Sequence, residues 1–215
     1  MLTRVRQSAA AAGVASADGT RAFANELGLG GPLRVEPLRQ YTLGIVSLRL
    51  HDVASATVAS ETLRQLAQSA DANVLVRDLD RGLRASLASA EGRAEEGLRL
   101  LEALELRDTQ GDIAATPFVS RANERFLHGE LLAAQGRDAE ALQWFASLGT
   151  GSVSEIPLKA LSNLRQAEIH ERLGNQAEAA IHYMKYAELW SSADAEFQPA
   201  VEAARRRLHE LGRSR

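Results

Sequence analysis

One pattern of small, turn-forming and packing positions occurs four times along the chain. A small residue is followed by a turn residue seven positions later, a second small residue at twelve, and packing positions at sixteen and nineteen. In the third repeat these are Gly129, Gly136, Ala141, Phe145 and Leu148. The other sets are Ala167, Gly174, Ala179, Tyr183 and Tyr186 (fourth), Ala85, Gly92, Gly97, Leu101 and Leu104 (second), and Gly44, His51, Ala56, Ser60 and Leu63 (first).

This spacing predicts four helical hairpins. The small residues let two helices approach closely, and a glycine between the helices can adopt a positive φ and end the first helix. Pro37, Pro117 and Pro157 each stand near the opening of a first helix, where the missing N–H costs nothing. The periodicity therefore predicts an all-α fold of about four hairpins.

The predicted helices number eleven. Two weak ones lie near 2–13 and 18–27, the hairpins pair 37–50 with 53–69, 75–90 with 93–107, 118–135 with 138–149 and 157–173 with 176–190, and a last helix covers about 196–211. The last helix carries an apolar stripe of Val201, Ala204, Leu208 and Leu211 on a charged background. Such a helix is what the end of a repeat array needs, because it seals the core and presents a polar outer side.

Composition narrows the classes of function. The 215 residues carry a formal net charge of −3 and no Cys, so a thiolate metal site and a Cys nucleophile are excluded. The near-neutral charge gives no reason to expect nucleic-acid binding, and no apolar run is long enough to insert into a membrane. We expect a cytoplasmic protein.

The small residues Ala15-Ser16-Ala17 resemble a signal-peptide cleavage site only faintly. An Ala-rich helix or frayed end is the favoured interpretation of the N-terminus.

Two stretches resemble tetratricopeptide repeats. They are HGELLAAQGRDAEALQWF at 128–145 and QAEIHERLGNQAEAAIHY at 166–183. The resemblance implies a right-handed α-solenoid over 37–191, preceded by an Ala/Gly-rich segment at 1–36 and followed by a capping helix and basic tail at 192–215. The spacings of 41, 44 and 38 residues exceed the family's repeat of about 34, so the extra residues are expected in loops.

The region from about 160 to 211 is also similar to the C-terminal repeat regions of bacterial signalling proteins, such as Ser/Thr kinases and transcriptional regulators. This second resemblance implies an alternative function, a ligand-sensing regulatory region of a larger protein. The first implies a non-enzymatic scaffold that binds a protein or peptide segment in a concave groove lined by the first helices.

The family's geometry implies which side chains line that groove. The candidate binding residues are Tyr41, Ile45, Leu83, Asn123, Phe126, Leu127, Glu130, Leu164, Arg165 and Glu168. The alternative is that the apolar members pack between hairpins and the polar members are simply solvated. Repeats that hold a C-terminal carboxylate use Lys, Asn and Arg, and here only Arg165 matches while Leu161 occupies the Lys position. That ligand is therefore not expected.

Catalytic signals are weak. None of the five His forms a His-Glu-x-x-His pair, and Gly28, Gly30 and Gly31 lack the strand and the Lys-Ser/Thr of a phosphate loop. The C-terminal arginines, Arg205 to Arg207, are interpreted as the solvated side of a cap. We predict no enzyme activity, no cofactor and no metal, and we leave the partner and the oligomeric state open.

Overall fold

The computed structural model describes residues 35–70, 72–105, 117–149 and 155–213, and these are helical with short connections. The helical segments are α1 Val35–Arg49, α2 Val53–Ala67, α3 Val74–Ala90, α4 Ala94–Glu102, α5 Pro117–Ser120, α6 Ala122–Ala134, α7 Asp138–Ala146, α8 Ile156–Arg172, α9 Gln176–Leu189 and α10 Gln198–Arg213. No strand occurs in the described ranges, so the all-α prediction is confirmed for them. The predicted helices near 2–13 and 18–27 lie outside the described residues.

The chain divides into two compact units, Met1–Val119 and Ser120–Arg215. In the first unit, α1 contacts α2 and α3, α2 contacts α3, and α3 contacts α4. In the second unit, α6 contacts α7 and α8, α7 contacts α8, α8 contacts α9, and α9 contacts α10. Each unit therefore packs successive helices in chain order, with the first helices of adjacent hairpins also in contact.

All four predicted turn residues have the left-handed backbone conformation. The φ angles are 58° at His51, 76° at Gly92, 74° at Gly136 and 76° at Gly174. Only glycine enters this region without a steric penalty, so three of the turns carry the residue that the conformation favours and His51 does not. The predicted hairpin positions are confirmed by this shared geometry.

The small residues mark close helix contacts. A Cβ added at Gly129 on α6 would lie 2.8 Å from the ring of Phe145 on α7, and one added at Gly44 on α1 would lie 2.5 Å from Leu83 on α3. The alanines of the pattern are fully buried, namely Ala56, Ala85, Ala141, Ala167 and Ala179. A side chain added at either glycine would therefore require its neighbour to move.

The second hairpin differs from its prediction, because α4 ends at Glu102 rather than near 107. The backbone N–H of Leu104 returns to the carbonyl of Leu101, which closes a turn. The backbone N–H of Glu105 donates instead to both carboxylate oxygens of Asp78 on α3, at 3.0 Å each. The buried Asp78 thus takes the N–H that would otherwise have continued the helix.

The first helix of the third hairpin is also interrupted, although the sequence predicted one helix over 118–135. Arg121 has a φ of 50°, which separates α5 from α6. The side chain of Arg125 donates to the carbonyl of Ser120, 3.3 Å away, and so satisfies one acceptor at the break.

A buried ion pair holds the connection from α7 to α8. Arg125 on α6 pairs with Glu155, whose side chain is only 3% exposed, and also donates to the backbone carbonyl of Ser147. The second oxygen of the Glu155 carboxylate accepts from the N–H of Gly149 at 2.8 Å. These bonds join both ends of the connection to α6.

The last helix covers the end of the second unit. Val201, Ala204 and Leu211 of α10 are buried against Tyr183 and Tyr186 of α9, as expected for the predicted apolar stripe. Within the described ranges, no helix has both the length and the apolar character that a membrane span requires.

Candidate functional site

The candidate groove residues of the first unit lie in its core. Leu83 is 0% exposed, and Tyr41 is 4% exposed and packs edge-on against Phe118, with 6.0 Å between the ring centroids. Ile45 is partly buried against the same cluster. Tyr41 and Leu83 therefore stabilise the unit and offer almost no surface to a ligand.

The apolar candidates of the second unit are half-buried. The Phe126 ring meets Phe145 in an edge-to-face contact with centroids 5.4 Å apart, and Leu164 packs against the cluster that contains Tyr183. Asn123 and Leu127 are half-buried on the same helix as Phe126. Interhelix packing therefore accounts for Phe126 and Leu164 in this unit.

The charged candidates come together in one cluster. Arg165 on α8 donates through Nε to Glu130 on α6 at 2.6 Å and through a terminal nitrogen to Glu168 at 2.9 Å. Burial opposes the charge of Arg165, but the neighbouring Glu130 and Glu168 outweigh it and raise the pKa of the guanidinium. The three side chains form an ion-paired group that joins α6 to α8.

Two further ion pairs extend this group along α8. Arg172 pairs with Asp138 at the start of α7, and Arg207 on α10 pairs with Glu171 on α8. The hydroxyl of Tyr183 donates to the other oxygen of Glu171 at 2.9 Å. We call the surface formed by these paired groups the charged face; its members are Glu130, Asp138, Arg165, Glu168, Glu171, Arg172, Arg207 and Glu210, which also pairs with Arg207.

Two neighbouring cavities open on the charged face. One of about 250 Å³ is lined by Glu130 and Arg165 over a floor that includes Ala133 and Phe145. The other, of about 400 Å³, is lined by Glu171, Arg207 and Tyr183 among others. Both cavities share Glu168 and Arg172, so the surface between them is continuous.

The electrostatics of the charged face are asymmetric. Its three arginines pair with five carboxylates, because Asp138 and Glu210 also take part. The hydrogen bond from Arg207 lowers the pKa of the Glu171 carboxyl, and burial together with the Glu171 hydrogen bond raises the pKa of Tyr183. The face is therefore a mixed surface with an excess of negative charge at neutral pH.

The histidines His170 and His182, Trp190 and the C-terminal Arg205 have packing or surface positions. The ring of His170 stacks on that of His182, and Trp190 packs on Tyr186 and Phe197. Arg205 makes a surface pair with Glu202. In the part of the chain that the structure describes, no three His or acidic side chains converge as a metal site would require.

Sequence reasoning missed a second cluster of polar side chains, on the opposite side of α8. A cavity of about 650 Å³ lies at the end of α7 and between α8 and α9. Its polar lining includes Lys159, Ser162, Asn163, Gln166, His182 and Lys185. We call this cavity the polar pocket. One signal was present in the sequence, since Lys159 and Lys185 are the only lysines among 25 basic residues.

Comparisons with known proteins do not place the chain in a family. No protein-family model matches it, and no curated protein matches it either. The likeness to tetratricopeptide repeats therefore rests on the residues and the hairpin geometry alone.

Proposed function

We propose that this protein is a non-enzymatic interaction module that binds a segment of a partner protein on the charged face. In this proposal the hairpins are tetratricopeptide-like repeats of a right-handed α-solenoid, and α10 is its C-terminal cap. The charged face then belongs to the concave groove, which the first helices of such an array line. The occupant is an extended peptide or an amphipathic helix.

The repeat assignment is supported by geometry that recurs from hairpin to hairpin. A left-handed turn residue occupies the same place in all four hairpins, at His51, Gly92, Gly136 and Gly174. In both units, the first helices of successive hairpins also contact each other, as α1 does α3 and α6 does α8. Stacking of successive hairpins is the organising principle of repeat proteins.

The charge of the face is the single observation that carries the binding proposal. Its five carboxylates exceed its three arginines, and the side chains of Arg165 and Glu130 remain 41% and 32% exposed. Charges in such a position steer and select a partner more than they stabilise a fold. The expected partner segment therefore carries Lys or Arg beside an apolar anchor.

The test is selection of random displayed peptides on the full chain, followed by calorimetry on individual peptides. We expect enriched peptides to carry net positive charge and to bind about tenfold more weakly to Glu130→Gln/Glu168→Gln, because each lost charge contact is worth up to about 1 kcal/mol.

The matched control is Glu61→Gln/Glu202→Gln. It removes the same charge from two exposed carboxylates, each ion-paired with an arginine three residues later, and is expected to leave affinity within about twofold. Failure to enrich any peptide would count against the proposal. Equal losses in the two double variants would show that general electrostatics, rather than the charged face, determine binding.

A further inference from the structure

The polar pocket contains the two lysines of a chain whose basic residues are otherwise arginine. Lys159 lies on α8 and Lys185 on α9, and both line the same cavity. Every ion pair in the described part of the chain is made by an arginine, and neither lysine takes part in one. The two ammonium groups therefore lie at the same cavity without forming an ion pair.

The stem of Lys159 is held in place by the chain beside it. A Cβ added at Gly149 would lie 2.7 Å from Cγ and Cδ of Lys159, so the glycine makes room for the stem. Gly149 also has a φ of 80° and donates its N–H to Glu155. The stem of Lys159 therefore packs against Gly149, while the residue as a whole stays exposed.

The floor of the pocket is polar where helix packing favours apolar side chains. Ser162, Asn163 and Gln166 are buried on α8. The hydroxyl of Ser162 donates to the carbonyl of Phe145 at 2.8 Å, and Nε2 of Gln166 lies 3.2 Å from that hydroxyl oxygen. Buried polar side chains are costly to retain unless they are paired, and here they are paired around an open cavity.

Asn163 fixes the tautomer of His182. The amide nitrogen of Asn163 donates to the carbonyl of Lys159 at 2.8 Å, so its oxygen accepts from Nδ1 of His182 at 2.9 Å. In the neutral ring the proton is therefore on Nδ1, and Nε2 carries the lone pair. Beside His182, the buried Nδ1 atom of the half-buried His170 has no hydrogen-bond partner.

We propose that the polar pocket binds a small organic anion, with a carboxylate or phosphate group held by Lys159 and Lys185 and its body between Asn163 and Leu189. The cavity has the size of known small-molecule sites, which range from about 300 to 1,000 Å³. Among the described residues that line the cavity, Glu188 is the only acidic one, so these side chains carry a net positive charge. This site lies on the other side of α8 from the charged face and does not depend on peptide binding there.

Proton uptake accompanies binding in this proposal. Burial, together with the charges of Lys185 and His170, lowers the pKa of His182 to about 4, and Glu178 opposes the shift. An anion beside the ring supplies the missing countercharge and favours the imidazolium, whose Nε2–H then donates to the ligand. The pKa of His182 is therefore expected to rise when the anion binds.

The test is an NMR titration of the full chain with inorganic phosphate, citrate and adenosine monophosphate. We expect at least one of them to produce saturable shifts of the His182 ring signals with a dissociation constant below about 1 mM. We also expect the pKa of His182 to rise by about one unit at saturation. Stronger binding of citrate would indicate a carboxylate ligand, and stronger binding of adenosine monophosphate would indicate a phosphate ester.

Two lysine variants and one arginine control locate the site. Lys159→Met/Lys185→Met keeps the apolar stems, and we expect it to weaken binding at least tenfold, while Lys185→Met alone weakens it several-fold. Arg64→Gln/Arg205→Gln removes the same charge elsewhere and leaves the affinity unchanged. Equal affinity in the double lysine variant, an equal loss in the arginine control, or the absence of saturation with all three anions would overturn the proposal.

Discussion

Arg165 on α8 donates to Glu130 on α6 with 2.6 Å between Nε and Oε1, although 35 residues separate the two in sequence. The same guanidinium also pairs with Glu168. Both partners are partly exposed, so the pair joins adjacent first helices while remaining open to an incoming ligand. This combination is what a recognition surface on a rigid support requires.

The ion pair of Arg165 and Glu130 is expected to contribute little to the free energy of unfolding. A double-mutant cycle with Arg165→Gln and Glu130→Gln should give a coupling of about 0.2–1 kcal/mol, because solvent screens exposed ion pairs. Urea denaturation of the four proteins measures it. A coupling above about 2 kcal/mol would instead assign the pair to the stability of the fold.

The close contact at Gly129 predicts a large effect of one methyl group. Gly129→Ala places a Cβ 2.8 Å from the buried ring of Phe145, and we expect a loss of about 1–3 kcal/mol in the free energy of unfolding. Gly212→Ala on α10 is the control, since nothing lies within 4 Å of its added Cβ and alanine favours helix. If Gly129→Ala is as stable as Gly212→Ala, the helix contact is looser than described.

The turn at His51 predicts a stabilising substitution. A non-glycine residue in the left-handed region costs about 1–2 kcal/mol, so His51→Gly should raise the free energy of unfolding by about 0.5–1 kcal/mol after the entropy of the unfolded chain is subtracted. The reverse change is Gly136→Ala, where nothing lies within 4 Å of the added Cβ. This variant should lose about 1 kcal/mol in the free energy of unfolding, through backbone strain alone. A thermal midpoint that rises in His51→Gly and falls in Gly136→Ala, each relative to the wild type, would confirm that the hairpins share one turn geometry.

The hairpin positions were predictable because their causes are local. A glycine seven residues after a small residue marks the turn in three of the four hairpins, as Gly136 follows Gly129. The early end of α4 was not predictable, because it depends on Asp78 capturing the N–H of Glu105 from 27 residues away.

Of the charged face, the sequence singled out Glu130, Arg165 and Glu168 as candidates but not Glu171, Arg172 or Arg207. Glu130, Arg165 and Glu168 follow from their register on the first helices, whereas Tyr41 and Leu83 share that register but are covered by neighbouring side chains. The polar pocket combines α7, α8 and α9, and no spacing within one helix reveals such a convergence.

The buried pair of Arg125 and Glu155 predicts a strongly destabilising substitution. Glu155→Gln leaves the Arg125 guanidinium without its charge partner, and we expect a loss of about 3 kcal/mol. Glu140→Gln provides the control because its exposed pair with Arg137 should contribute less than about 0.5 kcal/mol. Similar urea midpoints for the two variants would contradict the assignment of Glu155 to the interior.

His182 predicts a loss of stability in acid. Its pKa is lowered from 6.5 to about 4 in the folded protein, so between these pH values the unfolded chain binds a proton that the folded chain does not. Stability should therefore fall as the pH falls through this window, by about 1–2 kcal/mol after allowance for the partial exposure of the ring. His182→Asn should lose this part of the pH dependence, whereas His209→Asn, on the exposed side of α10, should retain it. Identical pH profiles for wild type and His182→Asn would contradict the assignment.

The most direct test of peptide binding on the charged face is chemical-shift mapping on the full chain with a selected basic peptide. We expect saturable amide shifts centred on Glu130, Glu168 and Glu171 and spread over α6, α8 and α10. These shifts should be absent from Glu130→Gln/Glu168→Gln at the same peptide concentration. Shifts confined to α7 and α9, or unchanged in that variant, would contradict it.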